Sequence, residues 1–191
     1  MKNHIVLFFL FWIISINYIY SQNNNSPIIG YDRMAWGTSI NEFQRLYPTA
    51  REINTNEADI GIREFKQTNV GGDINSRNFW FFQNRLYMVM VNYGNQDDSF
   101  YFALLDKLIS IYGLFDDKNE ETSSVENGYV KKITLYRYYR NDLYIWVTEF
   151  QWYNSRYYKT STDFVCYYRN PVTYREIYNE KSRRESEKLQ L

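Results

Sequence analysis

The hydrophobic positions fall into two periods. Ile40, Phe43, Leu46 and Tyr47 recur at helical spacing, and Ser39 stands three residues ahead of Glu42 in the pattern of a capping box. Pro48 cannot continue a helical ladder, so the spacing predicts a short helix over residues 40–47. A second helix is expected where Tyr101, Leu104, Leu105, Leu108, Ile111 and Tyr112 form an apolar stripe, between a cap at Asp97, Asp98 or Ser99 and a stop at Gly113. A third runs over 174–189, where apolar marks (Tyr174, Ile177, Tyr178 and the stem of Lys181) cover only the first two turns of a charged tail.

Other segments read as strands. Aromatic and apolar residues at 79–82 and 86–93 flank Asn84-Arg85, and those at 129–139 and 143–152 flank Asn141-Asp142, which predicts two hairpins. A last strand over 163–168 stops at Asn170-Pro171. Residues 51–54 and 60–68 are weakly patterned, Gly71-Gly72 is a turn, and 116–127 is an acidic loop closed by Asn127-Gly128. The expected class is α+β: an antiparallel β-sheet with two helices packed on one face and a C-terminal helical tail. Residues 82–89 and 139–146 echo each other, both reading aromatic, polar, Asn, charged, Leu, Tyr, then apolar. Each follows a helix ending in Tyr and a breaker. The echo suggests a duplicated unit of one helix and an antiparallel meander, the alternative being chance in a tyrosine-rich chain.

With Asn84-Arg85 and Asn141-Asp142 as two-residue turns, pleat alternation sorts the strands into two faces. Trp80, Phe82, Tyr87, Val89, Val91, Ile133, Leu135, Tyr139, Tyr144, Trp146 and Phe150 form the expected bed for the helices. Phe79, Phe81, Met88, Met90, Tyr136, Tyr138, Ile145 and Val147 form the other face, the candidate binding face unless the C-terminal tail lies across it.

Upstream, Lys2 precedes an apolar run over 5–16 that gives way to Asn17 and reaches Ser21, the layout of a secretory signal peptide. The run falls short of the ~20 residues of a membrane-spanning helix. Cleavage near Ser21 is expected, the alternative being a retained anchor. The organisation reads as a leader at 1–21, a flexible segment at 22–33, a single domain at 34–170 and the tail at 171–191. Without the leader the chain keeps 21 basic and 22 acidic residues and no histidine, since Lys2 and His4 leave with it. Such a balance gives no electrostatic reason for nucleic acid as a partner. Export to an envelope or extracellular compartment without stable membrane insertion is the expectation, and the Asn-, Tyr- and Ile-rich, Ala-poor composition fits an AT-rich bacterial source.

Trp36-Gly37-Thr38-Ser39 leading into a short helix ending Leu46-Tyr47-Pro48, then Asn84-Arg85-Leu86-Tyr87, then a helix ending Tyr112-Gly113, resembles a diffuse group of exported bacterial proteins. The layout is similar to the duplicated helix-plus-sheet modules of beta-lactamase-inhibitor proteins and of small outer-membrane-assembly lipoproteins, over roughly residues 36–150. The resemblance implies protein binding without catalysis. The lipid-bearing cysteine of the lipoproteins has no counterpart here.

Most chemistry is excluded by residue type. Hydrolysis by a serine, cysteine or metal centre ordinarily needs imidazole as base or ligand. Cys166, the single cysteine, lies in the apolar run Phe164-Val165-Cys166-Tyr167 and reads as core packing. Asp117, Asn119 and Glu121 alternate as in a calcium loop, but Thr122 and Gly128 stand where an EF-hand needs glycine and glutamate. Gly71-Gly72-Asp73 lacks the lysine of a phosphate-binding loop. No cofactor is expected. A pair of carboxylates such as Glu64 and Glu149, both beside aromatic residues, keeps a glycan hydrolase open as the alternative to a binding domain for an envelope protein or glycan, as does a structural domain without a ligand.

Overall fold

The computed structural model describes residues 30–125, 129–139, 143–154, 156 and 159–189. The leader, residues 22–29 and the two turns at Asn127-Gly128 and Asn141-Asp142 lie outside the described residues. The protein is α+β, the described residues forming three helices, a two-stranded ribbon and an eight-stranded antiparallel sheet. In chain order the elements are β1 (Gly30–Tyr31), β2 (Met34–Ala35), α1 (Ile40–Leu46), β3 (Arg51–Ile53), a 3-10 turn (Ala58–Ile60), β4 (Ile62–Gly71), β5 (Ile74–Phe82), β6 (Arg85–Asn95), α2 (Asp98–Tyr112), β7 (Asp117–Val125), β8 (Tyr129–Tyr139), β9 (Tyr144–Tyr153), β10 (Lys159–Arg169) and α3 (Pro171–Leu189). Among the described residues no helix is long and apolar enough to cross a membrane.

The helix ends follow from local chemistry. Ser39 Oγ accepts from the Glu42 amide at 3.3 Å, and Asp97 caps α2 by accepting from Phe100 N at 2.9 Å. Gly113 ends α2 at a φ of 84°. α3 begins earlier than the apolar marks indicate, because Asn170 Oδ1 accepts from the Val172 and Thr173 amides and Pro171 occupies the first helical position, where its missing N–H costs nothing.

The sheet order is β3-β4-β5-β6-β10-β9-β8-β7. Each half is one helix followed by four antiparallel strands, and the halves meet through their last strands, β6 against β10. The layout therefore repeats, but not in the register of the sequence echo. The echo aligns the turn between the third and fourth strands of one half with the turn between the second and third of the other.

Both α1 and α2 lie on one face. Phe43 of α1 sits with its ring centroid 4.8 to 5.3 Å from those of Phe65, Phe79 and Phe81. Leu104 and Leu108 of α2 pack into a cluster with Tyr138, Ile145, Val147 and Cys166. Val89 opposite Tyr168, and Tyr168 opposite Ile145, carry that face across the seam. α3 lies on the other face of the first half, where Ile177 packs with Ile60, Ile62, Phe82 and Tyr87. Arg85 pairs with Glu176 at 2.6 Å, and Lys181 with Glu57, at its margins. These exposed pairs are worth about 0–1 kcal/mol each, so the apolar contact fixes the helix.

Several expectations are corrected. The helix bed is the face carrying Phe79, Phe81, Tyr138, Ile145 and Val147, and the tail covers part of the opposite one. In the second hairpin the expected register holds, with Tyr139 opposite Tyr144 and Tyr138 opposite Ile145. In the first, the turn residues are Gln83 and Asn84, both at positive φ, and Tyr87 is a bulge: Phe81 faces Leu86 while Trp80 faces Met88. Moving the turn by one residue leaves the alternation intact, but the extra residue inverts it. Val89 and Val91 thus join the helix side, and Met88 and Met90 the other. Residues 117–125 of the expected acidic loop form the edge strand β7. Residues 30–33 of the expected flexible segment are part of the folded structure, because β1 pairs with β2 and Asp32 accepts from the Tyr47 hydroxyl at 2.7 Å.

Three predictions follow from this packing. Phe43→Ala and Phe79→Ala should each cost about 3–5 kcal/mol in urea unfolding, since both rings are fully buried and leave a cavity. Cys166 is buried, and burial pushes its thiol up to about 12. A thiol reagent should therefore label it only in denaturant. Burial also pushes the Tyr31 and Tyr112 phenols up to about 12, and those of Tyr93 and Tyr168 upward, from an ordinary 10.0. The unfolded chain releases the Cys166 proton around its ordinary 9.0 and the phenol protons around 10.0 while the folded one keeps them, so stability that is level below about pH 8 should fall as pH rises above it, more steeply beyond about pH 9 to 10. Phenolate absorbance followed alongside circular dichroism should show this group ionising together with unfolding.

Candidate interaction face

The residues expected to present a binding face form most of the core instead. Phe79, Phe81, Tyr138, Ile145 and Val147 are each 0% exposed beneath the two helices. Tyr136 is half-buried, its hydroxyl hydrogen-bonded to that of Tyr101 on α2. Met88 and Met90 lie on the opposite side, half-buried. The physical reason is the choice of helix bed: with α1 and α2 on this face, neither the tail nor a partner has access to it.

The opposite face divides in two. Over β4, β5 and the start of β6 it is roofed by α3. Over β8, β9 and β10 it is a broad aromatic surface that α3 touches only at its margin, where Tyr174 meets Arg169. Pleat alternation brings Tyr144 and Trp146 of β9 beside Tyr139 of β8 and Tyr167 and Arg169 of β10. The Trp146 and Tyr167 rings are stacked, 4.3 Å apart and 6° from parallel. Tyr144 sits 5.1 Å from Trp146 and 5.0 Å from Tyr139. The Arg169 guanidinium lies 4.6 Å from the Tyr144 centroid, 5.0 Å from Trp146 and 3.6 Å from Tyr174 at the start of α3. Burial lowers its pKa below the ordinary arginine value, yet the aromatic faces around the guanidinium favour the cation.

The surface continues along the strands. Ile133 and Leu135 of β8 adjoin Phe150 and Trp152 of β9, and the Lys131 ammonium lies 4.2 Å from the Phe150 ring and 5.3 Å from that of Trp152. Thr148 and Val165, on the same side, are only 7% exposed. Large neighbours therefore lie down across the sheet, and half-buried rings form a continuous layer. Its charges are mixed: Arg137 pairs with Asp117 at 2.5 Å, and Asp163 faces Phe150.

The carboxylates weighed for hydrolysis do not meet. Glu64 faces Trp80 on the α3 side and accepts from Asn78 Nδ2 at 2.6 Å. Glu149, 4% exposed, is on the α1 and α2 side and accepts from Gln151 Nε2 at 2.5 Å. The sheet separates them, so they cannot flank one glycosidic bond. Among the described residues no group of three or more His, Cys, Asp and Glu side chains is gathered for a metal. Asp117 is engaged by Arg137, and Glu121 by the Asn119 amide.

Tyr139, Tyr144, Trp146 and Phe150 were placed on one face by sequence alternation alone, but as helix bed. Tyr167 and Arg169 were missed, because nothing local indicates that the last strand inserts between β9 and β6 and so completes this surface. The chain matches no protein-family model, no curated protein and no solved structure with which it was compared.

Proposed function

We propose that this protein is a non-catalytic interaction domain of the bacterial cell envelope, exported by its N-terminal leader, that binds a partner protein through the open face of β8, β9 and β10. The observation that carries the reading is the Trp146–Tyr167 stack flanked by Tyr144, Tyr139 and Arg169, on a face that the C-terminal helix touches only at the Arg169 margin. Trp, Tyr and Arg dominate the energetics of protein interfaces, because they bury large area with little lost conformational freedom and retain a polar end for hydrogen bonding. The surface is broad, pleated and mixed in charge, which suits another protein's surface better than a single small ligand.

Trp146→Asp and Tyr167→Asp test the proposal. Both side chains are half-buried in the outer layer of the sheet and clear of the core under α1 and α2, so the variants should remain folded while binding to the envelope partner captured by the leaderless wild type weakens about a hundredfold or more, the scale of a central anchor. Chemical cross-linking in envelope extract and sedimentation with purified peptidoglycan read the outcome. Unchanged capture by both variants would overturn the assignment of the face, and sedimentation with glycan alone would replace the protein partner by a glycan.

A further inference from the structure

The two halves carry helices of unequal length, and the difference opens a cleft on the helix-covered side. α1 has seven residues, roughly 10 Å, against a ten-residue β4 of roughly 33 Å. It covers the sheet around Phe65, Phe79 and Phe81 but does not reach the tip of the β4–β5 hairpin at Gly71–Ile74. Between that tip and the flank of α2 lies a cleft of about 460 Å³. Small-molecule sites occupy roughly 300–1,000 Å³.

Its walls are apolar and its floor carries hydroxyls. Phe100, Leu104, Leu108 and Ile111 of α2 form one wall, a stripe at helical spacing that continues past the strands it packs on, leaving Ile111 56% exposed. Ile74 lies opposite, and Tyr93 and Tyr168 lie at the seam of β6 and β10. The Tyr93 ring is braced 5.2 Å from Phe100, and that of Tyr168 5.1 Å from Tyr31. Both phenols are held protonated by burial, so the floor carries hydroxyl groups and no charge, that of Tyr168 also meeting the Cys166 thiol. The lining carries one cation, Lys107, and one anion, Asp73, giving no net charge to attract an ion.

We propose that this cleft binds an uncharged, mainly apolar small molecule whose polar group is hydrogen-bonded by the tyrosines at the seam. Apolar walls reward burial of a hydrocarbon or aromatic body, the phenols fix its polar end, and balanced charge discriminates against ions. The site lies on the opposite side of the sheet from the aromatic face and does not depend on it.

The probe is N-phenyl-1-naphthylamine, a neutral dye that fluoresces in apolar surroundings, with 8-anilinonaphthalene-1-sulfonate as its anionic counterpart. The leaderless protein should bind the neutral dye saturably at one site, and the sulfonate at least about tenfold more weakly. Ala103, exposed on the α2 flank and lining the cleft, becomes an obstruction in Ala103→Trp. That variant should keep its melting temperature and lose at least about tenfold in affinity, while Trp146→Asp binds the dye as the wild type does. Ile111→Trp carries the same test should Ala103→Trp unfold. Absence of saturable binding, full affinity in the obstructed variant, loss of binding in Trp146→Asp, or tighter binding of the sulfonate would each overturn the proposal.

Discussion

Eight antiparallel strands in a chain with one cysteine hold together as one sheet only if β6 stays paired with β10. That seam joins strands far apart in sequence, and the covered face on either side depends on it. Val89 and Val91 stand opposite Tyr168 and Cys166, all on the helix side, so the core under α1 and the core under α2 run into each other there. Trp36 packs against both clusters from above. Without a disulfide the join rests on hydrogen bonds and apolar burial, at roughly 1.5–3 kcal/mol for each large side chain taken out of water. The long loop closure that brings β10 back to β6 must be offset by this contact.

The seam also orders the two surfaces. By inserting between β9 and β6, β10 brings Tyr167 and Arg169 into line with Trp146 and Tyr144 on one side. It brings Tyr168 beside Tyr93 on the other. One strand thus supplies residues to the aromatic face and to the cleft, on alternate positions.

Local chemistry was legible from the sequence, and so was the class of fold. The caps at Ser39 and Asp97, the stops at Pro48 and Gly113 and the register of the β8–β9 hairpin are written in adjacent residues. The face assignment was not. Tyr87 and Met88 are both large and apolar, so the pattern cannot reveal that both lie on the α3 side around a bulge, and one unseen residue inverts the strand that follows. β7 was hidden for another reason: Asp117-Lys118-Asn119-Glu120-Glu121 has little strand propensity, and its extended form is set by pairing with β8. Both sheet faces carry enough aromatic residues to serve as a core. Only the placement of the helices decides between them.

The composition of β7 bears on how this molecule can meet another. An edge strand offers unsatisfied backbone groups to any extended chain, and unguarded edges are where sheets polymerise. Here the edge strand carries charges of both signs, Glu120 tied to Lys118 and to Lys132 of β8, and Asp117 to Arg137 of β8. An incoming strand would have to displace solvated ions to gain ladder hydrogen bonds. The sheet is thereby discouraged from growing sideways at this edge, and on the proposed reading a partner meets the aromatic side instead, where selectivity would come from side chains rather than from a shared backbone.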